Sequence, residues 1–305
     1  MKMIVDSNNS KLIGKSRKYL AAWALLCPAL LCVYFFIIHP QIFGIAWSFF
    51  DMKGYSVTEF VGLANFQRVL SDTKFLQTLW NTVQYVLWSV VIGFPIPILT
   101  ALLLNEMAHC RSFFRLWVYF PSILPSVSVL LLFSMIYYPD ATGLLNSLLL
   151  KIGIQPYEWL QDPKFTILYI ILAMTWSGAG GTAIYYFAAM QGVSRELYEA
   201  AVIDGAGFIR RFWTVTFPHM AGIFLLFLVK QIIGVFSIME QVMVLTDGGP
   251  NGASQTLGLL AYKYGFVSVR PQLAMATGVI MFLILMVSTL FYIKLDKKVN
   301  EMGDM

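Results

Sequence analysis

The sequence predicts an all-α, polytopic membrane protein with six transmembrane helices and a polar, helical loop on the cytoplasmic side. Three observations lead there. Hydrophobic residues make up 58% of the 305 residues and charged residues only 12%, against about 25% charged in ordinary soluble domains. Six stretches, roughly 20–50, 78–104, 113–138, 165–190, 221–246 and 272–294, are apolar and long enough to cross a bilayer as helices. The Lys and Arg residues fall between those stretches or at their ends, as Arg115 and Lys294 do, apart from Lys230 inside the fifth.

The tail over residues 1–19 carries Lys2, Lys11, Lys15, Arg17 and Lys18. The apolar run that follows is too long for a signal peptide and lacks a small-residue cleavage site, so it reads as a retained first span. His39-Pro40 within it predicts a kink or an exposed extension at the outer end. Asn81 and Thr82 open the second span and read as an ordinary cap. The third span reads as continuous over 113–138, and the fourth carries the small residues Ser177, Gly178, Ala179, Gly180 and Gly181, which allow close helix contact. The sixth ends in a tail over 295–305 that anchors at the membrane surface through Lys297 and Lys298. One transmembrane domain over 20–294 is expected, with no convincing internal repeat.

Thirteen Lys and Arg residues lie on the side of the two termini and the 191–219 loop, and seven on the other. That excess places both termini and the loop in the cytoplasm. No basic block interleaved with aromatics points to nucleic acid. Cys27 and Cys32 sit in the first apolar segment and Cys110 in a short loop, an arrangement that argues against disulfides and structural zinc. His39, His109 and His219 are far apart in sequence and separated by the membrane, so no metal site is expected. No phosphate-cradling GxxxxGK[ST] loop, nucleophile elbow, HExxH or carboxylate pair occurs. The chain therefore reads as neither an ATPase nor another enzyme, and no cofactor is expected.

The loop YEAAVIDGAGFIRRFWTVTFP, residues 198–218, is the polar exception. Ser194 is a candidate N-cap, with Glu196 and Glu199 near the positive end of the helix it opens. Gly205 stands where a left-handed C-cap would end that helix after Asp204. Beyond it Phe208, Ile209, Phe212, Trp213 and Thr216 share one helical face and Arg210, Arg211 and Thr214 another. That pattern predicts a second short helix lying in the membrane interface and closed by Pro218. Pattern alone leaves a plain surface connector open beside a docking element.

EAA, then DGA, then a phenylalanine and a proline at this spacing resembles the EAA loop of the inner-membrane subunits of binding-protein-dependent ABC importers; Glu199, Ala200, Ala201, Asp204, Gly205, Ala206, Phe212 and Pro218 carry the match. LLCPALLCVYFFIIHPQIFGIAWSFFD with FVGLANFQRVL, FFRLWVYFPSILPSVSVLLLFSMIY with GLLNSLL, and VMVLTDGGPNGASQTLGLLAYKYGF are similar to the sugar-permease branch related to the maltose and glycerol-phosphate permeases. His39 stands where a tyrosine is more usual there. The resemblance implies a coupling helix that docks into a cytoplasmic ABC ATPase dimer. It also implies a second, related permease subunit and an extracytoplasmic sugar-binding protein, received near Asp247, Gly248, Gly249 and Pro250. ATP would be hydrolysed by a separate subunit.

Polar groups inside spans are costly and face a partner or a water-filled path. Lys230, Gly234, Ser237 and Gln241 recur on one face of a fifth-span helix and are candidates for the translocation pathway, as are Glu240 and Trp176, whose ring suits stacking on a sugar. Interior packing is the plainer role for Trp176, helix packing for the stripe, and snorkelling for Lys230. Two other functions remain open from sequence: an ion-coupled secondary carrier, and an EAA-type importer of a non-sugar solute.

Overall fold

The computed structural model describes residue 19 and residues 22–107 and 109–303, with no side chains described from 295 onward. The tail over 1–18 and the last two residues of the 295–305 tail lie outside the described residues. Helix α1 spans Ala22–Trp47, and the hairpin strands β1 Phe50–Lys53 and β2 Ser56–Phe60 follow it. A short helix α2, Ala64–Leu70, leads into α3, Phe75–Glu106. Next come α4 Arg111–Ile123, α5 Ser126–Ile136 and α6 Leu144–Lys151. Helix α7, Thr166–Met190, runs to the loop helix α8, Arg195–Ile203. Helix α9, Phe208–Phe236, is followed by α10 Glu240–Leu245 and α11 Leu257–Tyr262. Helix α12 begins at Pro271; it is apolar to Lys294 and stays helical to Gly303, through most of the expected tail.

Five of these helices are long and apolar enough to cross a membrane: α1, α3, α7, α9 and α12. The sixth expected span is broken. Helices α4 and α5 meet at 93° at Leu124-Pro125, where the sequence predicted one continuous helix. Pro125 has no N–H to donate and drives the residue before it into extended backbone, and Leu124 has ψ 144°.

The first span shows a different response to proline. Ahead of Pro40 the backbone widens into a π turn over Tyr34–Ile38 and the helix continues to Trp47. The same device corrects a further expectation. Residues 208–217 form no separate interfacial helix, because α9 runs unbroken from Phe208 through Pro218 to Phe236. A π turn over Phe212–Thr216 lies just before Pro218, with Phe217 N–H bonded to Phe212 O, and absorbs the proline into the helix. The fifth span also stops at Phe236 rather than at 246, so Ser237 is a helix-ending residue and Gln241 belongs to α10.

The core sits where α3, α5, α7, α9 and α10 converge, around Tyr85, Ile170, Ile171, Val242 and Leu259. A second apolar cluster packs α3 on α7 and α9 near the 191–219 loop, around Leu104, Tyr186, Met190 and Met220. Helix contact is closest at Gly180, where a Cβ would lie 1.9 Å from the carbonyl oxygen of Val118 on α4. The small residues of the fourth span thus serve packing, as expected for at least this one.

Candidate functional site

The structure places the sequence-selected residues in three regions. At one end of the bundle, α8 projects from the loop. Ser194 caps it by accepting the Glu196 N–H at 3.3 Å. The helix ends in paired closing bonds, Ala206 N–H to Ala201 O at 2.8 Å and Gly205 N–H to Val202 O at 3.0 Å, with Gly205 at φ +75°. A Cβ at Gly205 would meet nothing within 4 Å, so glycine supplies the left-handed backbone there and not space. Glu199, Ala200 and Asp204 are exposed, while Ala201 and Ala206 are half-buried. Arg195 and Glu199 form an exposed pair at 3.2 Å, which adds little to stability. Ile203 is 85% exposed and Val202 53%, an apolar tip left uncovered among the described residues.

The inner side of α8 is tied to α9. Tyr198 OH lies 3.0 Å from Thr216 Oγ1, and Thr216 belongs to the π turn that carries α9 past Pro218. Arg211, one turn into α9, pairs with Glu106 at the end of α3 at 3.1 Å. Neither link was drawn from the sequence, although Tyr198, Thr216 and Arg211 all lie within the quoted loop.

Midway along the bundle, α3, α7, α9 and α10 enclose a cavity of about 300 Å³. Thr175, Thr182, Lys230, Gln231, Gln241 and Ser89 give it polar walls. Gly93 lets two of them approach: a Cβ there would fall 2.7 Å from Gln231 Nε2 and 3.3 Å from Thr175 Oγ1. Lys230 Nζ lies 5.5 Å from the centre of the Phe227 ring, within cation–π range.

Lys230 and Gln241 thus meet in the cavity although they sit on different helices, and Gly234 lies between them. Ser237, Glu240 and Trp176 do not line it. The break after Phe236 turns Ser237 outward to an exposed position. Glu240 instead accepts a 2.7 Å hydrogen bond from Ser126 Oγ at the start of α5. Trp176 packs edge-on against Phe133, ring centres 5.5 Å apart, and is 45% exposed. The sequence reading passed over Gln231 and Ser89; a polar residue directly beside Lys230 was the available signal for Gln231.

At the far end lies the Asp247-Gly248-Gly249-Pro250 turn. Asp247 is exposed and ties to Lys263, which donates to its backbone oxygen at 2.8 Å and approaches its carboxylate at 3.1 Å. Gly248 is buried at φ +85°, leaving Asp247 as the most available of the four. Asn81 and Thr82 hold this segment and are not helix caps: both are buried inside α3. Asn81 Nδ2 donates to Gly252 O at 2.8 Å and to Gln255 O at 3.1 Å, and Thr82 Oγ1 accepts the Leu257 N–H at 3.0 Å. Tyr85 OH donates to Ser254 O at 3.1 Å, so the second span staples residues 252–257, just after the turn.

Known proteins are similar to this chain over most of its length. The chain is 30% identical to the arabinooligosaccharides transport system permease protein AraP of Bacillus subtilis over 281 residues, 92% of this chain and 89% of the relative. It is 30% identical to the trehalose/maltose transport system permease protein MalF of Thermococcus litoralis, covering 96% of this chain and 99% of that one. A solved bacterial ABC transporter involved in the import of the acidic polysaccharide alginate superposes with a TM-score of 0.84 at 25% identity, covering 94% of this chain and 99% of that one. A second alginate transporter structure, in complex with alginate pentasaccharide-bound periplasmic protein, gives 0.83 at 26% identity, covering 93% and 96%. Residues 93–301, which hold the loop helix, α9 and the cavity walls, match the family described as binding-protein-dependent transport system inner membrane component, and the chain belongs to that family.

Proposed function

We propose that this chain forms half of the translocation pathway of an ATP-driven importer for a sugar or oligosaccharide. The cargo would be delivered by an extracytoplasmic binding protein, and a second, related permease chain would close the pathway. The carrying observation is mechanical: α9 is one continuous helix from Gly207, just past the glycine hinge, to Val235 in the cavity wall. A displacement of α8 therefore reaches Lys230 and Gln231 through a rigid element and the Tyr198–Thr216 bond, the kind of rigid-body step that alternating access needs.

On this reading α8, with its uncovered Ile203 and Val202, docks into an ATPase dimer, and Glu199, Ala200, Ala201, Asp204, Gly205 and Ala206 form the joint. The loop and both termini lie in the cytoplasm, and ATP is hydrolysed by the separate subunit. Asp247 and the turn it opens lie at the opposite end, where the binding protein would dock. The relatives' oligosaccharide cargoes support a sugar, and membership of the family removes the ground for an ion-coupled carrier.

Affinity purification of the tagged chain from native membranes in mild detergent tests the proposal. A second permease and an ATPase subunit should co-purify, and the ATPase subunit should be lost, with the second permease kept, when Glu199→Arg and Gly205→Val are combined. Recovery of the chain alone, stable and without ATPase activity, contradicts it.

A further inference from the structure

A second cavity, of about 620 Å³, opens at the far end between the last turn of α5, the short helical turn at Trp159–Gln161 and the end of α10. The volume falls within the range of about 300–1,000 Å³ typical of ligand pockets. Tyr137, Tyr138, Ser134, Gln161, Thr246 and Pro250 supply its aromatic and hydrogen-bonding walls, and none of its lining side chains is charged.

The walls divide into a fixed part and an open one. Tyr137 is 6% exposed, its ring 6.1 Å from that of Trp159 and 5.6 Å from that of Tyr169. Trp159 is itself locked by donating Nε1–H to Asn146 Oδ1 at 2.8 Å. Tyr138, by contrast, is 50% exposed and Gln161 is exposed, so a ring face and an amide stand at the mouth. Flat aromatic faces with neutral hydrogen-bonding groups match the alternating apolar faces and hydroxyl edges of a sugar ring.

Position adds a second argument. Leu245, in this wall, lies one turn beyond Gln241 on α10, and Gln241 lines the midway cavity. Gly249 and Pro250 belong to the turn assigned to binding-protein docking. We propose that this cavity is an entry subsite that takes a neutral face of one sugar ring as an oligosaccharide leaves the binding protein for the midway cavity. It rests on the sugar-import reading.

The test uses the assembled transporter in proteoliposomes with its binding protein and three probes: arabinotriose, maltotriose and trigalacturonate. Tyr138→Ala should raise the KM for uptake of the transported probe about fivefold to tenfold, the value of one aromatic contact, and Tyr138→Phe should restore it. In a chain with Cys27, Cys32 and Cys110 replaced by serine, the same probe should protect Gln161→Cys from an impermeant maleimide. Uptake without protection, or an unchanged KM in Tyr138→Ala, overturns the subsite alone. A position 161 thiol that is unreactive without sugar also overturns it, since the second permease would then cover the cavity. Transport of none of the three probes removes the sugar reading beneath it.

Discussion

Asn81 holds together two parts of the chain separated by about 170 residues, and its buried amide donates two bonds to backbone carbonyls of the half-buried Gly252 and Gln255. Replacing it by leucine leaves Gly252 O and Gln255 O without that partner, at a cost of about 1–3 kcal/mol. Asn81→Leu should lower the thermal midpoint in detergent and open residues 246–257 to proteolysis before the rest, and an unchanged digestion pattern would show that the staple is dispensable. Gly180 makes a different demand. The Cβ of Gly180→Ala would collide with the Val118 backbone, and overpacking of that kind costs about 1–3 kcal/mol. Lower stability is expected for Gly180→Ala and little change for Gly178→Ala, whose Cβ meets nothing within 4 Å. Local residues were legible where the chemistry is local: the Ser194 cap and the left-handed Gly205 could both be read from neighbours a few positions away. Asn81 and Thr82 were misread as caps because their partners lie far along the chain, and a polar pair at the start of an apolar run carries no mark of them.

Among the elements, proline had two outcomes that sequence pattern does not separate. At Pro125 the helix breaks by 93°, whereas Pro40 and Pro218 are absorbed by π turns set just ahead of them. A π turn depends on which backbone groups neighbouring helices leave room to rearrange, so the course of 208–217 was misjudged. The segments before the second and sixth spans are joined by a hydrogen bond from Tyr264 OH to Asp72. Burial pushes the Asp72 carboxyl up, but that hydroxyl, the Lys74 N–H at 2.9 Å and the Lys74 charge together hold it below the usual carboxylate range. The charged form is thus favoured in the folded chain. Its contribution is present above the ordinary value of about 4 and is lost as pH falls through the lowered one. Thermal midpoints measured from pH 7 downward should fall more steeply in the natural chain than in Asp72→Asn; parallel curves would mean that this contact contributes nothing.

At the scale of the whole molecule, the proposed function is divided along the stretch from α8 to the turn after α10: an exposed candidate joint at one end, a polar cavity midway, and the turn at the other. The family was legible because its most specific segments, the EAA loop and LTDGGP, are short and contiguous. The cavity was not, because Thr175, Gln231 and Gln241 come from three helices and meet only once the fifth span breaks. On the proposed function, transmission from the joint to the cavity would depend on the angle fixed at Gly205, where a side chain costs about 1–2 kcal/mol in left-handed backbone and asparagine less. The most direct measurement is sugar-stimulated ATP hydrolysis by the assembled transporter carrying Gly205→Val, with Gly205→Asn beside it. Stimulation should fall about tenfold in the valine variant and be largely kept in the asparagine one. Full stimulation in Gly205→Val, with the complex intact, would contradict a joint set by that residue.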